Sequence, residues 1–220
     1  QKNNIEIKKI IVLITRCFIN MFTNTKFILA SNSKSRFKIL KQNKLLFLKK
    51  KPTCDEDLIK KKLIKNKKKP IEIVKTLAKE KAKSISLKYK KKLVVGCDTI
   101  ILFNNKIVVK AKNLTSAKEK ILKLSGKKHI IISSISVFKN EKQIWTHTQS
   151  TNVEIRKLEI KEIERYLKLC GKSVLSSVGC YHIESLGPHI IKKIEGDFFN
   201  VMGFPLFPFL NFLKKFNIKK

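Results

Sequence analysis

The sequence predicts an α/β fold built on a mixed β-sheet. Short apolar runs of strand type alternate along the chain with segments of helical periodicity, and at least two pairs of runs are joined by turns that predict hairpins. Strands separated by helices favour parallel pairing, whereas hairpins require antiparallel pairing, so one sheet must contain both. The 220 residues are 43% hydrophobic, which is enough to bury one core.

The first part of the chain alternates strand and helix. Residues 26–31 (KFILAS) predict a short strand, and residues 35–43 predict the helix that follows it. A lysine-rich connection then carries the acidic stretch PTCDED at residues 52–57. Apolar residues recur at helical spacing over residues 71–90, which predicts a long amphipathic helix.

Residues 94–110 (VVGCDTIILFNNKIVVK) predict a hairpin that turns at Asn104 and Asn105. One apolar run ends on Asp98 and a second ends on Lys110. We expect Asp98 to end its strand, where a side chain can project from the sheet into a crevice. The two opposite charges are either a surface ion pair or two walls of a site.

The second part contains a helix with both ends marked, since Ser116 and Glu119 have capping-box spacing and Gly126 can stop the helix. Residues 129–140 and 142–155 predict two long strands in a hairpin. The remaining predicted elements are a helix that carries Ile160, Ile163, Tyr166 and Leu167 and ends near Gly171, a strand over 189–196, and a terminal helix over 204–216.

The formal net charge of +34 is spread over the whole chain, and only four of the 50 basic residues are arginine. Proteins that read nucleic acid usually rely on arginine as well, because its guanidinium pairs bidentately with bases and phosphates. Abundant Lys, Asn and Ile together favour codon bias from an AT-rich genome as the origin of the charge. The charge still attracts phosphorylated ligands.

The five cysteines include no CxxC pair, which argues against a disulfide framework and a zinc site and favours a cytoplasmic location. Residues 10–22 are apolar but too short to span a membrane and are interrupted by Arg16. Met21 is a plausible start, so we interpret residues 1–20 as an N-terminal extension and residues 21–220 as the single domain. The domain is expected to fold and to stay active without the extension.

Polar residues in the first strand-to-helix turn are candidates for phosphate binding, because helix N-termini offer free backbone N–H groups to anions. They are Ser31, Ser33, Ser35 and Arg36. The alternative is that the serines only cap the helix.

Three further side chains are candidates for chemistry. Glu56 lies in the acidic stretch and either binds a hard cation such as Mg²⁺ or belongs to a solvated loop. Lys81 lies close to the apolar face of the helix over 71–90, so its side chain either snorkels to solvent or points into a cleft. Asp98 is the third. Four of the seven glycines fall between residues 179 and 203, which indicates tight backbone near a ligand or a packed turn.

Five motifs resemble the Maf family, the septum-formation-inhibitor-like proteins, in their order and spacing. They are FILASNSKSR, LAKEKAKSI, VVGCDTI, LKLSGKKH and IEGDFFNVMGFPL. The resemblance covers roughly residues 26 to 215. It implies a nucleoside triphosphate pyrophosphatase that releases the monophosphate and pyrophosphate with Mg²⁺ or Mn²⁺. It also implies a long curved sheet with a cleft between two lobes, similar to inosine triphosphatases, and a homodimer as a candidate assembly.

The resemblance assigns roles by position. It makes Asp98 the general base, and Glu56 with Asp98 the metal ligands. The residues that match the family's substrate-binding positions are Ser31, Ser33, Arg36, Lys81 and Lys110. In this interpretation Asp98 and Lys110 are two walls of a triphosphate site.

We take Ser35, Thr99 and Glu184 to be the positions tied to the choice of nucleobase, and the sequence departs from the family pattern at two of them. Ser35 replaces an arginine, and Glu184 replaces the glutamine of many members, which puts a preference for pyrimidines in doubt. The stretch LSSVGCYHIE resembles an alphaproteobacterial branch of the family.

Two other functions stay open from the sequence. One is a nucleotide-binding regulator of septum formation or cell division with weak activity. The other is a basic nucleic-acid-binding protein, against which the absence of a recognition motif argues. We expect a nucleoside triphosphate as the partner, with no specific nucleic acid and no membrane.

Overall fold

The computed structural model describes residues 25–218, so the proposed extension and Met21 lie outside the described residues. Its centre is a seven-stranded mixed sheet in the order β2-β1-β3-β5-β6-β7, with β4 paired to β3. β1 is parallel to β2 and β3, and the other pairs are antiparallel. The strands are β1 Phe27–Ala30, β2 Phe47–Lys50, β3 Leu93–Phe103, β4 Lys106–Ile107, β5 Lys128–Lys139, β6 Lys142–Ile155 and β7 Ile191–Glu195.

Helices flank this sheet. They are α1 Lys34–Gln42, α2 Glu56–Lys65, α3 Pro70–Ser86, α4 Leu114–Leu124, α5 Ile160–Cys170, α6 Phe198–Val201 and α7 Leu206–Ile218, with short 3-10 helices at Gly171–Ser176 and Gly187–His189. Among the described residues, no helix is both long and apolar enough to cross a lipid bilayer. The α/β class with a mixed sheet is therefore confirmed, whereas the similarity to inosine triphosphatases stays a prediction.

Two separate apolar clusters pack on one face of the sheet. The first joins β1, β3 and β5 to α1 and α7, with Phe204 and Phe209 fully buried. The second joins β3, β5 and β6 to α4 and α5. Between them the strands carry buried polar side chains, Ser133 on β5 and Thr151 on β6. One face of the sheet therefore carries two cores with a polar boundary, whereas the cleft between two lobes stays a prediction.

Three predicted elements agree closely with the structure. The long hairpin of β5 and β6 turns at Asn140 and Glu141, which both have positive φ. The predicted helix over 71–90 is α3 and ends four residues early, at Ser86. The helix that was expected to end near Gly171 ends at Cys170.

Three predictions were wrong. β3 does not end at Asp98, because β5 pairs with it from Val94 to Leu102 and holds it extended. The capping box of α4 is formed by Asn113 and Ser116, one turn earlier than predicted. The lysine-rich connection contains β2 and α2. None of the α2 residues is buried, although Ile59 and Leu63 have the i, i+4 spacing of a helix.

A buried histidine in the second cluster predicts a loss of stability at acidic pH. The ring of His129 shares a hydrogen bond with the hydroxyl of Tyr181, and burial lowers the pKa of His129 from 6.5 to about 4. Because the unfolded chain binds this proton more readily, the free energy of unfolding falls as the pH drops from 6.5 towards 4. The slope reaches about 1.4 kcal/mol per pH unit.

Thermal melts at about pH 7 and about pH 5 measure this dependence. His129→Phe is expected to show a smaller drop in Tm between the two pH values than the wild type. His189→Phe, at an exposed histidine, is the control and should keep the full drop. An unchanged drop in His129→Phe would rule out this histidine as its source.

Candidate functional site

One edge of β3 is open beside the point where β1 ends. β1 stops at Ala30, opposite Gly96, and β4 pairs with β3 only at Leu102 and Phe103. No described strand pairs with this edge between those points. Asp98 lies in this gap, so its backbone is paired with β5 on one side and with no described strand on the other. The crevice beside Asp98 stays a prediction.

Helix α3 lies directly on β3 at Gly96. A Cβ atom there would come 2.2 Å from the carbonyl oxygen of Ala78 and 2.6 Å from the amide nitrogen of Ala82, and no side chain tolerates such distances. The close contact places Lys81 against Asp98, which points to the same face of the strand two residues after Gly96. The small residues of α3 and β3 therefore position the charged ones.

Lys81 joins two carboxylates. Its Nζ lies 2.6 Å from Asp98 Oδ1 and 2.8 Å from Glu56 Oε2. Lys81 is 5% exposed, whereas the Glu56 side chain is 44% exposed. Asp55 caps α2 by accepting a hydrogen bond from the amide of Leu58, which fixes the first turn that carries Glu56. Glu56 thus lies in a helix and forms an ion pair. The alternative in which Glu56 belongs to a solvated loop is excluded.

The protonation of Lys81 follows from these contacts. Burial acts to lower the pKa of Lys81, and Arg36 acts in the same direction, but the carboxylates of Asp98 and Glu56 outweigh both and raise the pKa above its ordinary value. Lys81 is therefore a cation at neutral pH. Asp98 Oδ2 has no hydrogen-bond partner among the described residues, so one oxygen of this carboxylate stays free to accept a proton.

Arg36 is held on the opposite face of β3. Its Nε donates to the carbonyl oxygen of Gly203 at 2.8 Å, Nη2 donates to Thr99 Oγ1 at 2.9 Å, and Nη1 donates to Ser31 Oγ at 3.3 Å. A guanidinium has five N–H donors, so these bonds leave one donor on each terminal nitrogen. Arg36 can thus bind an anion without giving up the contacts that orient it.

The serines of the first turn have different positions. Ser33 caps α1 by accepting from the amide of Arg36, and Ser31 Oγ accepts from the amide of Ser33. Both hydroxyls therefore organise the turn that carries Arg36, as the capping alternative predicted. Ser35 is partly buried in the first turn of α1 and its side chain has no hydrogen bond to a described residue.

Lys110 and Glu184 contact neither Arg36 nor the cluster of Glu56, Lys81 and Asp98. Lys110 is exposed and forms no ion pair with a described residue. The alternative of a surface ion pair between Asp98 and Lys110 is therefore excluded, since Asp98 pairs with Lys81, whereas their role as two walls of a site stays a prediction. Lys120 Nζ donates to the carbonyl oxygen of Val109 and fixes the backbone beside Lys110. Glu184 lies in the part of the chain that contains the second apolar cluster, and its Oε1 atom is 3.8 Å from Nδ1 of His182.

Sequence reasoning missed the part played by the backbone of Gly203. Its carbonyl oxygen accepts from Arg36, from Thr99 Oγ1 at 3.2 Å and from Cys97 Sγ at 3.3 Å. Its φ of +94° favours glycine, and a Cβ would lie 3.3 Å from Thr99 Oγ1. The concentration of glycines in this part of the sequence was the available signal, and here it marks a packed turn against Arg36.

The two carboxylates of the cluster fit a divalent cation that arrives with a phosphate ligand. The described residues contain no group of three or more His, Cys, Asp or Glu side chains that could hold a metal ion by themselves. Mg²⁺ is usually held by one or two carboxylates together with substrate phosphates. Glu56 and Asp98 can supply these two carboxylates, since both already contact one cation, the Lys81 ammonium.

The sequence is similar to that of known proteins. The model of the Maf family, described as Maf-like protein, matches residues 26–216. The chain is 38% identical over 191 residues to the 7-methyl-GTP pyrophosphatase of Bartonella henselae, covering 87% of this chain and 96% of the relative. It is 35% identical over 187 residues to the nucleoside triphosphate pyrophosphatase of Pelagibacter ubique, covering 85% of this chain and 96% of the relative. It is also 35% identical over 186 residues to the nucleoside triphosphate pyrophosphatase of Caulobacter vibrioides, a match that covers 84% of this chain and 93% of the relative.

Proposed function

Because the chain belongs to the Maf family, we propose that it is a nucleoside triphosphate pyrophosphatase that hydrolyses its substrate to the nucleoside monophosphate and pyrophosphate. The cluster of Glu56, Lys81 and Asp98 in the open gap of β3 carries this proposal. It combines a free carboxylate oxygen, a buried cation and a second, more exposed carboxylate. Clearance of unwanted nucleotides is the cellular role that we propose for this activity.

Asp98 is the group that orients and deprotonates the attacking water. Lys81 holds one carboxylate oxygen, which fixes the side chain and leaves Oδ2 to accept the proton of a water molecule. The water attacks the α-phosphorus, the bond to the bridging oxygen breaks, and pyrophosphate leaves. A positioned carboxylate contributes to such a step because it stands within hydrogen-bond reach of the proton that it removes.

Cationic side chains stabilise the charge that develops on the phosphates. Arg36 has two N–H donors left for phosphate oxygens, and its three protein contacts keep them in place before substrate arrives. Lys110 is exposed on a segment that Lys120 fixes at Val109, and it is available to the leaving pyrophosphate. Preorganised donors of this kind cost little reorganisation during the reaction.

A divalent cation, Mg²⁺ or Mn²⁺, would be held by Glu56 and Asp98 together with the triphosphate. When bound, it neutralises negative charge on the phosphate oxygens. Binding would require Lys81 to share its two carboxylates with the ion, and the exposed side of Glu56 gives the ion access to the cluster.

We assign the choice of nucleobase to Ser35, Thr99 and Glu184. Thr99 contacts Arg36 and Ser133 and so borders the proposed phosphate site. A carboxylate at Glu184 accepts hydrogen bonds but donates none when ionised, unlike a glutamine, and therefore favours a base edge that donates. Relatives named 7-methyl-GTP pyrophosphatase make methylated guanine nucleotides the first substrates to test.

A panel of nucleoside triphosphates, including 7-methyl-GTP, tests the proposal when each is incubated with the protein and Mg²⁺ or Mn²⁺. We expect equal amounts of monophosphate and pyrophosphate from at least one of them, without any nucleic acid. Release of orthophosphate alone, or no turnover with any substrate, would contradict it. Tight binding to nucleic acid that collapses steeply with salt would instead favour the basic nucleic-acid-binding function.

Glu56→Gln is expected to weaken the metal site more than the fold. The substitution removes one charge and keeps the size of the side chain, so the activity at low metal concentration should fall and should recover partly as Mn²⁺ is raised. Titration of initial rates with Mn²⁺ measures this shift. The control is Glu119→Gln, at an exposed glutamate of α4, which should leave the titration unchanged. Equal metal dependence of Glu56→Gln and the wild type would remove Glu56 from the site.

A further inference from the structure

A short turn lies over the polar boundary between the two apolar clusters. It runs from Asp197 to Gly203, contains α6, and is called here the 197–203 turn. Met202, within the turn, packs against both clusters. The turn ends on the glycine whose carbonyl oxygen accepts a hydrogen bond from Arg36. The boundary between the clusters is therefore also the place from which Arg36 is held.

Asn200 fixes this turn to the sheet. Its side chain is fully buried, and Nδ2 donates to the carbonyl oxygen of Ile131 on β5 at 3.2 Å and to Thr151 Oγ1 on β6 at 2.9 Å. An amide nitrogen carries two hydrogens, so these bonds use both of them on two neighbouring strands. Thr151 Oγ1 also contacts the backbone of Asp197, which ties the start of the turn to the same strand.

Two hydrogen-bond routes lead from the carbonyl oxygen of Asn200 to the guanidinium of Arg36. In the first, this oxygen accepts from the amide of Gly203 at 2.9 Å, and the carbonyl oxygen of Gly203 accepts from Arg36 Nε at 2.8 Å. In the second, it accepts from Ser133 Oγ at 3.4 Å. Ser133 Oγ lies 2.9 Å from Thr99 Oγ1, which accepts from Arg36 Nη2. A shift of Asn200 would therefore move two acceptors of the guanidinium.

Stability alone does not explain an asparagine at this position. Asn200 Oδ1 is buried and has no hydrogen-bond partner among the described residues, and an unsatisfied buried acceptor lowers the free energy of unfolding. A buried hydrogen-bond network restricts a packed element to one arrangement. What the asparagine supplies is therefore a defined position of the turn on the sheet.

We propose that Asn200 is a positioning residue, which orients the Arg36 guanidinium for phosphate through the 197–203 turn. Its side chain is fully buried, so it acts through the turn and not by contact with substrate. The inference rests on the proposed function, in which the two remaining N–H donors of Arg36 bind phosphate oxygens. Their direction depends on the bonds to Gly203 and Thr99, and both of these acceptors lie on the routes from Asn200.

Thr151→Val removes one of the two acceptors of the Asn200 amide and keeps the shape of the side chain. The KM for the nucleoside triphosphate is expected to rise about tenfold, the effect of weakening one charge-assisted hydrogen bond to phosphate. A loss of folded protein alone would lower kcat without changing KM. Thr151→Ser keeps the hydroxyl and should retain the wild-type KM. The control is Tyr166→Phe, which removes a buried hydroxyl that donates to Cys180 and should leave KM unchanged.

Proton exchange at Arg36 Nε tests the positioning without any substrate. The chain has only four arginines, so ¹⁵N spectra contain few side-chain Nε–H signals, and Arg36→Lys identifies the one from Arg36. Exchange of this proton with water should be faster in Thr151→Val than in the wild type and unchanged in Tyr166→Phe. Ser133→Ala, which breaks only the second route, keeps both measurements valid if Thr151→Val folds poorly.

The two measurements separate this proposal from the proposed function. Unchanged exchange at Arg36 Nε, or an unchanged KM in a folded Thr151→Val, would overturn the role of Asn200. A higher KM in Tyr166→Phe would also overturn it, because any buried hydroxyl would then serve. Faster exchange in Thr151→Val, in a protein that hydrolyses no nucleotide, would support the positioning and contradict the proposed function alone.

Discussion

Asp98→Asn is expected to lower kcat by about 10²–10⁴-fold, the usual contribution of a general base. The amide keeps the size of the side chain but cannot accept a proton from water. Nucleotide binding should survive, because Arg36, Lys81 and Lys110 remain and one negative charge near the phosphates is gone. kcat, nucleotide affinity and Tm measured on one preparation separate catalysis from folding.

The control for this variant is Asp57→Asn, at an exposed carboxylate of α2, which should behave like the wild type in all three measurements. The competing explanation is that Asp98 serves only to neutralise the buried Lys81, to which it is bound at 2.6 Å. In that case Asp98→Asn would lower Tm and leave kcat unchanged. That outcome would remove Asp98 from the chemistry.

Lys81→Met is expected to abolish turnover and to weaken nucleotide binding. Methionine fills a similar volume but leaves Asp98 and Glu56 facing one another without the cation that now joins them. Two carboxylates without a counter-charge repel the triphosphate as well as each other. Breaking a buried ion pair costs about 3 kcal/mol or more, so the free energy of unfolding should fall by about 3 kcal/mol, since Glu56 is partly exposed.

Urea unfolding and nucleotide titration measure the two effects of Lys81→Met. Lys83→Met, at an exposed lysine of the same helix, is the matched control for the loss of charge. Added Mg²⁺ should stabilise Lys81→Met more than the wild type, because the ion can occupy the place of the ammonium between the carboxylates. Normal turnover in Lys81→Met would contradict the role of the cluster.

The sequence predicted the elements whose cause is local. β5 and β6 were predictable because long β-prone runs flank Asn140 and Glu141, residues that adopt the positive φ of a hairpin turn. α3 was predictable because its apolar residues recur at helical spacing. α2 was missed because its lysine-rich segment was interpreted as a connection, although Ile59 and Leu63 have helical spacing and Asp55 caps the helix.

The site was predictable residue by residue but not as an arrangement. Resemblance to a family named Glu56, Lys81 and Asp98, yet the contact among them depends on α3 lying on β3 at Gly96, which brings together residues far apart in the chain. The end of β3 was misplaced for the same reason, because its length is set by pairing with β5. Of the two alternatives for Asp98 and Lys110, the ion pair is excluded, because the partner of Asp98 in space is Lys81.

Hydrolysis in water enriched in ¹⁸O shows whether the cluster beside β3 activates water for attack on the α-phosphorus. The products of one nucleotide, preferably 7-methyl-GTP, are separated and analysed by mass spectrometry. We expect ¹⁸O in the nucleoside monophosphate and none in the pyrophosphate, with no labelled product from Asp98→Asn on the same timescale. Label in pyrophosphate or orthophosphate, or equal labelling by Asp98→Asn, would contradict it.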